Sequence, residues 1–176
     1  MEIRAAGDLQ GNGRTVGGYA AVFARPADLG DFTEEIRAGA FAASLVSGQN
    51  VKALYHHQTD ALLGTTRAQT LRLAQDDKGL RFTLDLPDTT HGRDIAELIR
   101  RGDIAGCSVG FRVRDGGQTW EDRNGKAYRL LTDLDLIEIT LTHDPAYQDT
   151  SVALRYKPGA AQAHTAARLW LDTVRC

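Results

Sequence analysis

Residues 71–86 constrain the fold more than any other stretch. Leu71-Arg72-Leu73 alternates, Gln75-Asp76-Asp77-Lys78-Gly79 has turn composition, and Leu80-Arg81-Phe82-Thr83-Leu84-Asp85-Leu86 alternates again. Successive side chains of a strand point to opposite faces. Leu80, Phe82, Leu84 and Leu86 therefore share a face to be buried, while Arg81, Thr83 and Asp85 share a polar one. Pro87 lacks the N–H that would continue a ladder, so it closes the strand. The segment reads as a hairpin. Short apolar alternations between turn signals recur elsewhere, with 18 glycines against 4 prolines. The pattern predicts a mainly β protein with flanking helices, an α+β fold.

Further elements follow from the same rules. Gly17-Gly18 leads into a predicted strand over Tyr19–Phe23, and Asp28–Asp31 reads as a loop. Phe41–Leu45 has helical spacing, stopped by Gly48. Val51–Tyr55 reads as a strand that runs into His56-His57, with a polar loop beyond. Thr89 or Thr90 caps a helix reaching about Arg101, with Ile95, Leu98 and Ile99 as its buried stripe. Arg100 and Arg101 suit the negative end of its dipole, and Gly102 suits its stop. The chain then enters Gly106–Val113, where Val109, Phe111 and Val113 share one face and Ser108, Gly110 and Arg112 the other. Asp115–Gln118 is a polar turn. Asn124-Gly125 marks a hairpin between Trp120 and Tyr128. Leu134–Leu141 is a long strand, ended by Asp144-Pro145. From Pro158 the composition turns alanine-rich, and Ala163, Ala167, Trp170 and Val174 fall on one helical stripe. One domain over residues 1–157 and a helical tail over 158–176 are expected.

The totals exclude several classes. A length of 176 residues suits one domain with a tail. A net charge of −2 gives no basic field, so no nucleic-acid partner is expected. The apolar runs are too short to span a membrane. Met1-Glu2-Ile3-Arg4-Ala5 lacks the layout of a secretion signal, which makes a cytoplasmic location the default. Cys107 and Cys176 make neither a disulfide framework nor a metal-like spacing, and no metal or cofactor is implied.

Chemistry gathers at three points. Ser108 lies between Gly106 and Gly110, where small neighbours leave room for a substrate carbonyl; it is a candidate nucleophile or a close-packing residue. Gly106-Cys107-Ser108-Val109-Gly110 has the spacing of a nucleophile elbow. That motif needs a strand before the serine and a helix after it, and here the order is reversed. His57 is a candidate base, and alternation would send the adjacent His56 to the other face. His143 is a further candidate, whereas His91 and His164 read as solvated. Glu138 interrupts an apolar strand, where a carboxylate must be hydrogen-bonded or paired. It is either one half of an ion pair, with Arg112 as a partner, or the acceptor that orients an imidazole. Cys107 falls on the face of Val109 and reads as a small packed hydrophobe rather than a nucleophile.

A longer set of landmarks carries a resemblance. They are Gly18-Tyr19-Ala20-Ala21-Val22-Phe23, Glu34-Glu35-Ile36-Arg37-Ala38-Gly39-Ala40-Phe41 and Ala53-Leu54-Tyr55-His56-His57, then Arg81–Thr89, Arg101–Phe111 and Pro145-Ala146-Tyr147. In number and order they resemble the prohead serine proteases of tailed phages, which are distantly similar to the herpesvirus assemblins. The family pattern reads Asn-His-Asp at the histidine, where this chain has His56-His57-Gln58. It reads Ser-Phe-Gly-Phe at the serine, where this chain has Ser108-Val109-Gly110-Phe111. The resemblance implies a compact β-barrel of the herpesvirus-protease type and a serine endopeptidase with Ser108 as nucleophile and His57 as base. Glu138, in the family's Glu-hydrophobic-Ser/Thr segment, is the implied third member. Assemblins use a second histidine there, which keeps His143 in contention. The implied partners are the major capsid protein with its scaffold or N-terminal segment, the protease itself, and further copies in a homo-oligomer. The implied setting is the assembling procapsid of a phage or of a phage-like gene-transfer particle. The rival reading is a non-catalytic capsid assembly protein that keeps the protease fold.

Overall fold

The computed structural model describes residues 10–12 and 14–143. The Pro145-Ala146-Tyr147 landmark, the 157/158 boundary and the predicted tail helix lie outside them. Twelve strands and two helices follow one another in these residues. They are β1 (Gln10–Asn12), β2 (Thr15–Val22), β3 (Ala27–Asp28), β4 (Phe32–Ile36), α1 (Ala42–Val46), β5 (Lys52–Tyr55), β6 (Gln58–Thr65) and β7 (Leu71–Gln75). After these come β8 (Gly79–Asp85), α2 (Thr90–Arg101), β9 (Gly106–Val113), β10 (Gln118–Arg123), β11 (Lys126–Leu131) and β12 (Leu134–Thr142). The mainly β expectation holds.

The strands form three four-stranded sheets, ordered β1-β2-β8-β7, β10-β11-β4-β3 and β6-β5-β12-β9. Among the described residues their ladders do not close into a barrel. One core joins the sheets. Leu80, Phe82 and Leu84 of β8 meet Ile36 of β4, Leu131 of β11, Ile139 and Leu141 of β12, and Ile95 of α2 in a single apolar cluster. The hairpin read from residues 71–86 is β7–β8, and the face predicted to be apolar is the buried one.

Helix α2 forms as its end signals require. The Thr89 side chain accepts a hydrogen bond from the Gly92 N–H at 3.1 Å, a cap of about 1 kcal/mol. Gly102 takes a left-handed φ of 83°, which lets the Asp103 N–H turn back to the Leu98 carbonyl at 2.9 Å. The chain reverses there, buries Ile104, and enters β9.

Strands β1, β3, β4 and β6 are absent from the sequence reading, and Asp28, read as loop, lies in β3. The polar loop after His57 is β6, paired antiparallel to β5. The sequence pattern also passes over β4, whose buried face carries Glu34 between Phe32 and Ile36. Arg129 of β11 lies opposite and its guanidinium reaches the Glu34 carboxylate at 2.8 Å. Burial is the larger influence on Glu34 and raises its pKa; Arg129 opposes that shift.

The sheet β6-β5-β12-β9 carries the chemistry, and a bulge sets its faces. β12 pairs antiparallel with β9: Leu134 lies opposite Val113 and Leu136 opposite Phe111, but Glu138, Thr140 and Thr142 lie opposite Gly110, Ser108 and Gly106. Ile137 is the surplus residue. Directly opposed residues share a face. Leu134 and Leu136 therefore share the core face with Ile139 and Leu141, although the first two positions are even and the last two odd. Glu138, Thr140 and Thr142 turn to the face of Ser108. Strict alternation from Leu134 would have sent Glu138 into the core.

Candidate active site

Ser108 is the third residue of β9, and its side chain is buried at 1% exposure. Its Oγ has no hydrogen-bond partner among the described residues. A buried hydroxyl without a partner is uncommon, because leaving it unsatisfied costs about 1–3 kcal/mol. Beside it, Gly110 faces Glu138 across the ladder. A Cβ at position 110 would lie 2.6 Å from Glu138 Cγ and 3.1 Å from its Cδ. The glycine thus makes room for the carboxylate, which lies against β9 two residues from Ser108. The expected role of the small neighbours, room for a substrate carbonyl, is replaced at Gly110 by this packing.

His57 reaches the same face from a turn. β5 runs parallel to β12 on the side away from β9, with Tyr55 opposite Leu141. β5 and β6 are joined by His56 and His57 alone, since Tyr55 pairs with Gln58. Both joining residues are left-handed, with φ of 49° and 59°. This is the backbone of a tight hairpin turn that favours Asn and Gly. The expected separation of the two rings to opposite faces does not hold: both residues lie in a turn, and their rings meet residues of one face of β12, His57 at Glu138 and His56 at Thr142.

β12 holds that turn at successive residues of one face. His57 Nδ1 lies 2.5 Å from Glu138 Oε1, and the Glu138 side chain is 7% exposed against 40% for His57. A carboxylate accepts, so Nδ1 carries the hydrogen, and in the neutral ring Nε2 is left as the acceptor. The His57 N–H donates to Thr140 Oγ1 at 3.3 Å. The His56 N–H donates to the Leu141 carbonyl at 3.2 Å. The His56 ring lies 3.2 Å from Thr142 Oγ1 through Nδ1 and 2.9 Å from His143 Nδ1 through Nε2.

These contacts separate the candidates. Glu138 and His57 are brought together, on the face that carries Ser108. The partner of Glu138 is His57, not Arg112. His143 engages the ring of His56 instead. Cys107 points to the core at 1% exposure, and burial pushes its thiol up to about 12, which removes it as a nucleophile near neutral pH. Thr140 was not singled out from the sequence, and Gly110 was read only as a small neighbour of Ser108. The signal for Thr140 was its place two residues from Glu138 on a strand of period two. Among the described residues, no three His, Cys, Asp or Glu side chains are grouped to hold a metal, and no helix is long and apolar enough to cross a membrane.

An imidazole held by a buried carboxylate, on the sheet face of a buried serine, brings together the residue types that serine hydrolases use. The chain belongs to the Caudovirus prohead serine protease family, whose model matches residues 1–164. Membership marks it as a capsid-maturation peptidase of the serine class, with capsid proteins as partners and the prohead as its place of action. No match was found among curated proteins or among solved structures.

Proposed function

We propose that the chain is an endopeptidase in which Ser108, His57 and Glu138 form the catalytic set. Ser108 Oγ attacks the scissile carbonyl while His57 Nε2 takes its proton. The same nitrogen returns that proton to the leaving amine, and water then releases the acyl group by the reverse use of His57. Glu138 fixes the Nδ1–H tautomer and offsets the positive charge on the imidazolium. One observation carries the reading: the 2.5 Å contact between His57 and Glu138 on the sheet face where Ser108 Oγ is buried without a partner. That Oγ has no partner among the described residues, so the His57–Ser108 bond is not made in the resting chain. Catalytic hydrogen bonds of free enzymes often close only when substrate binds.

The proposal extends to substrate and setting. The scaffold or N-terminal segment of the major capsid protein is cut inside the procapsid, the chain itself is a second substrate, and copies associate during assembly. Three sheets around one core suit an opened relative of the herpesvirus-protease barrel. The family description concerns tailed phages and lends no support to a gene-transfer particle.

Coexpression with the major capsid protein tests the assignment. Wild type is expected to shorten the capsid protein, Ser108→Ala to leave it full length, and Cys107→Ala to behave as wild type. Shortening by Ser108→Ala would remove the serine from its role. Absence of shortening by wild type as well would favour the non-catalytic assembly protein.

A further inference from the structure

We infer that Thr140 is a positioning residue for this site, the hydroxyl that ties the backbone of His57 to the strand pair carrying the serine. The inference rests on the proposed roles of Ser108 and His57, and it adds a residue to them. Thr140 is fully buried and lies directly opposite Ser108 in the β12–β9 ladder. Its Oγ1 accepts the His57 N–H at 3.3 Å. The Glu138 contact fixes the His57 ring, but a ring held only at Nδ1 can still pivot about that bond. Fixing the backbone of the same residue removes the pivot and sets the direction of Nε2.

The turn needs such a tether. A left-handed residue other than glycine costs about 1–2 kcal/mol, and two stand in succession at His56 and His57. Residues in sparsely populated backbone regions persist only where surrounding contacts over-determine them. The His57 N–H lies in the middle of the turn, and Thr140 Oγ1 is the acceptor it has. With the hydroxyl removed, that N–H loses its partner and the turn can relax toward right-handed backbone. His57 then leaves the face of Ser108. Small displacements of a catalytic group cost up to about a hundredfold in rate.

Thr140→Val keeps the shape and removes the hydroxyl, and Thr140→Ser keeps the hydroxyl. Labelling of Ser108 by a fluorophosphonate, resolved into maximal rate and half-saturating concentration, reads the site without a known substrate. Thr140→Val is expected to lower the maximal rate about 10- to 100-fold with the half-saturating concentration unchanged. Thr140→Ser is expected to restore most of that rate. Amide hydrogen exchange at His57, followed in a Ser108→Ala background, is expected to be at least about tenfold faster with Val than with Thr or Ser. If Val unfolds the chain, Thr140→Ala against Thr140→Ser makes the same comparison. An unchanged labelling rate and unchanged His57 exchange in Thr140→Val would overturn the inference, as would a serine variant as slow as the valine one. A wild type that does not label overturns the Ser108 assignment instead, and the amide exchange then decides the tether by itself.

Discussion

Two hairpins of this protein turn on two left-handed residues, and they achieve it by opposite means. In the β10–β11 hairpin the residues are Asn124 and Gly125, with φ of 58° and 80°. Glycine adopts that backbone freely and asparagine tolerates it, so the turn needs little help. One local bond, from the Gly125 N–H to Asp122 Oδ1 at 2.9 Å, completes it. In the β5–β6 hairpin the residues are His56 and His57, which bring a cost of about 1–2 kcal/mol each. Among the described residues, hydrogen bonds to Glu138, Thr140, Leu141, Thr142 and His143 hold them. At about 0.5–1.5 kcal/mol apiece these are sufficient to offset that cost. The first turn is written in its own two residues. The second is imposed by a strand more than 80 positions away in sequence. Strain of this kind gathers where side chains must be aimed, and here the aimed side chain is His57.

Three perturbations would break or sharpen that contrast. The largest effect is expected from Glu138→Gln, which keeps the size of the side chain but loses its charge and its demand for the Nδ1–H tautomer. Its maximal rate should fall by about a thousandfold or more, read by fluorophosphonate labelling or capsid-protein cleavage. A fall of less than tenfold would exclude Glu138 as the orienting acid. Next, replacing Asn124-Gly125 by Ala-Ala forces two Cβ-bearing residues through left-handed backbone. Stability to urea should drop by about 2 kcal/mol with the labelling rate per folded molecule unchanged. A loss of rate would mean that the two hairpins are coupled. The smallest effect is expected from His56→Asn, which puts a tolerant residue into the strained turn while giving up the ring contacts to Thr142 and His143. The unfolding midpoint should rise by the equivalent of at most about 1 kcal/mol. A fall of more than that would show that the imidazole chain, not the backbone, governs this turn.

The legibility of the chain follows the same division between local and imported structure. β7–β8, α2 and the Asn124-Gly125 hairpin could be read from the sequence because alternation, capping residues and turn residues all lie within the element they define. β6 escaped because Leu62 projects outward between buried Ala61 and Leu63, which blurs the period of two. β4 escaped because the Glu34 side chain occupies a buried position whose compensating Arg129 arrives from β11. At the site, Ser108, His57 and Glu138 were legible as residue types and through family likeness. The pairing of Glu138 with His57 was not, because it depends on the Ile137 bulge and on a turn with no Asn or Gly to announce it. The role of Gly110 was hidden for a similar reason: the side chain it accommodates belongs to another strand.

The extra residue at Ile137 has a consequence for how this strand can change. It acts as a phase slip, so that a count of odd and even positions begun at one end of β12 no longer holds at the other. The two halves of the strand can therefore drift independently in composition, each keeping its own alternation between the oily interior and the opposite face. A length change in the first half that preserves the slip is absorbed ahead of it. One that erases the slip would exchange the roles of the acid and its greasy neighbour at a stroke.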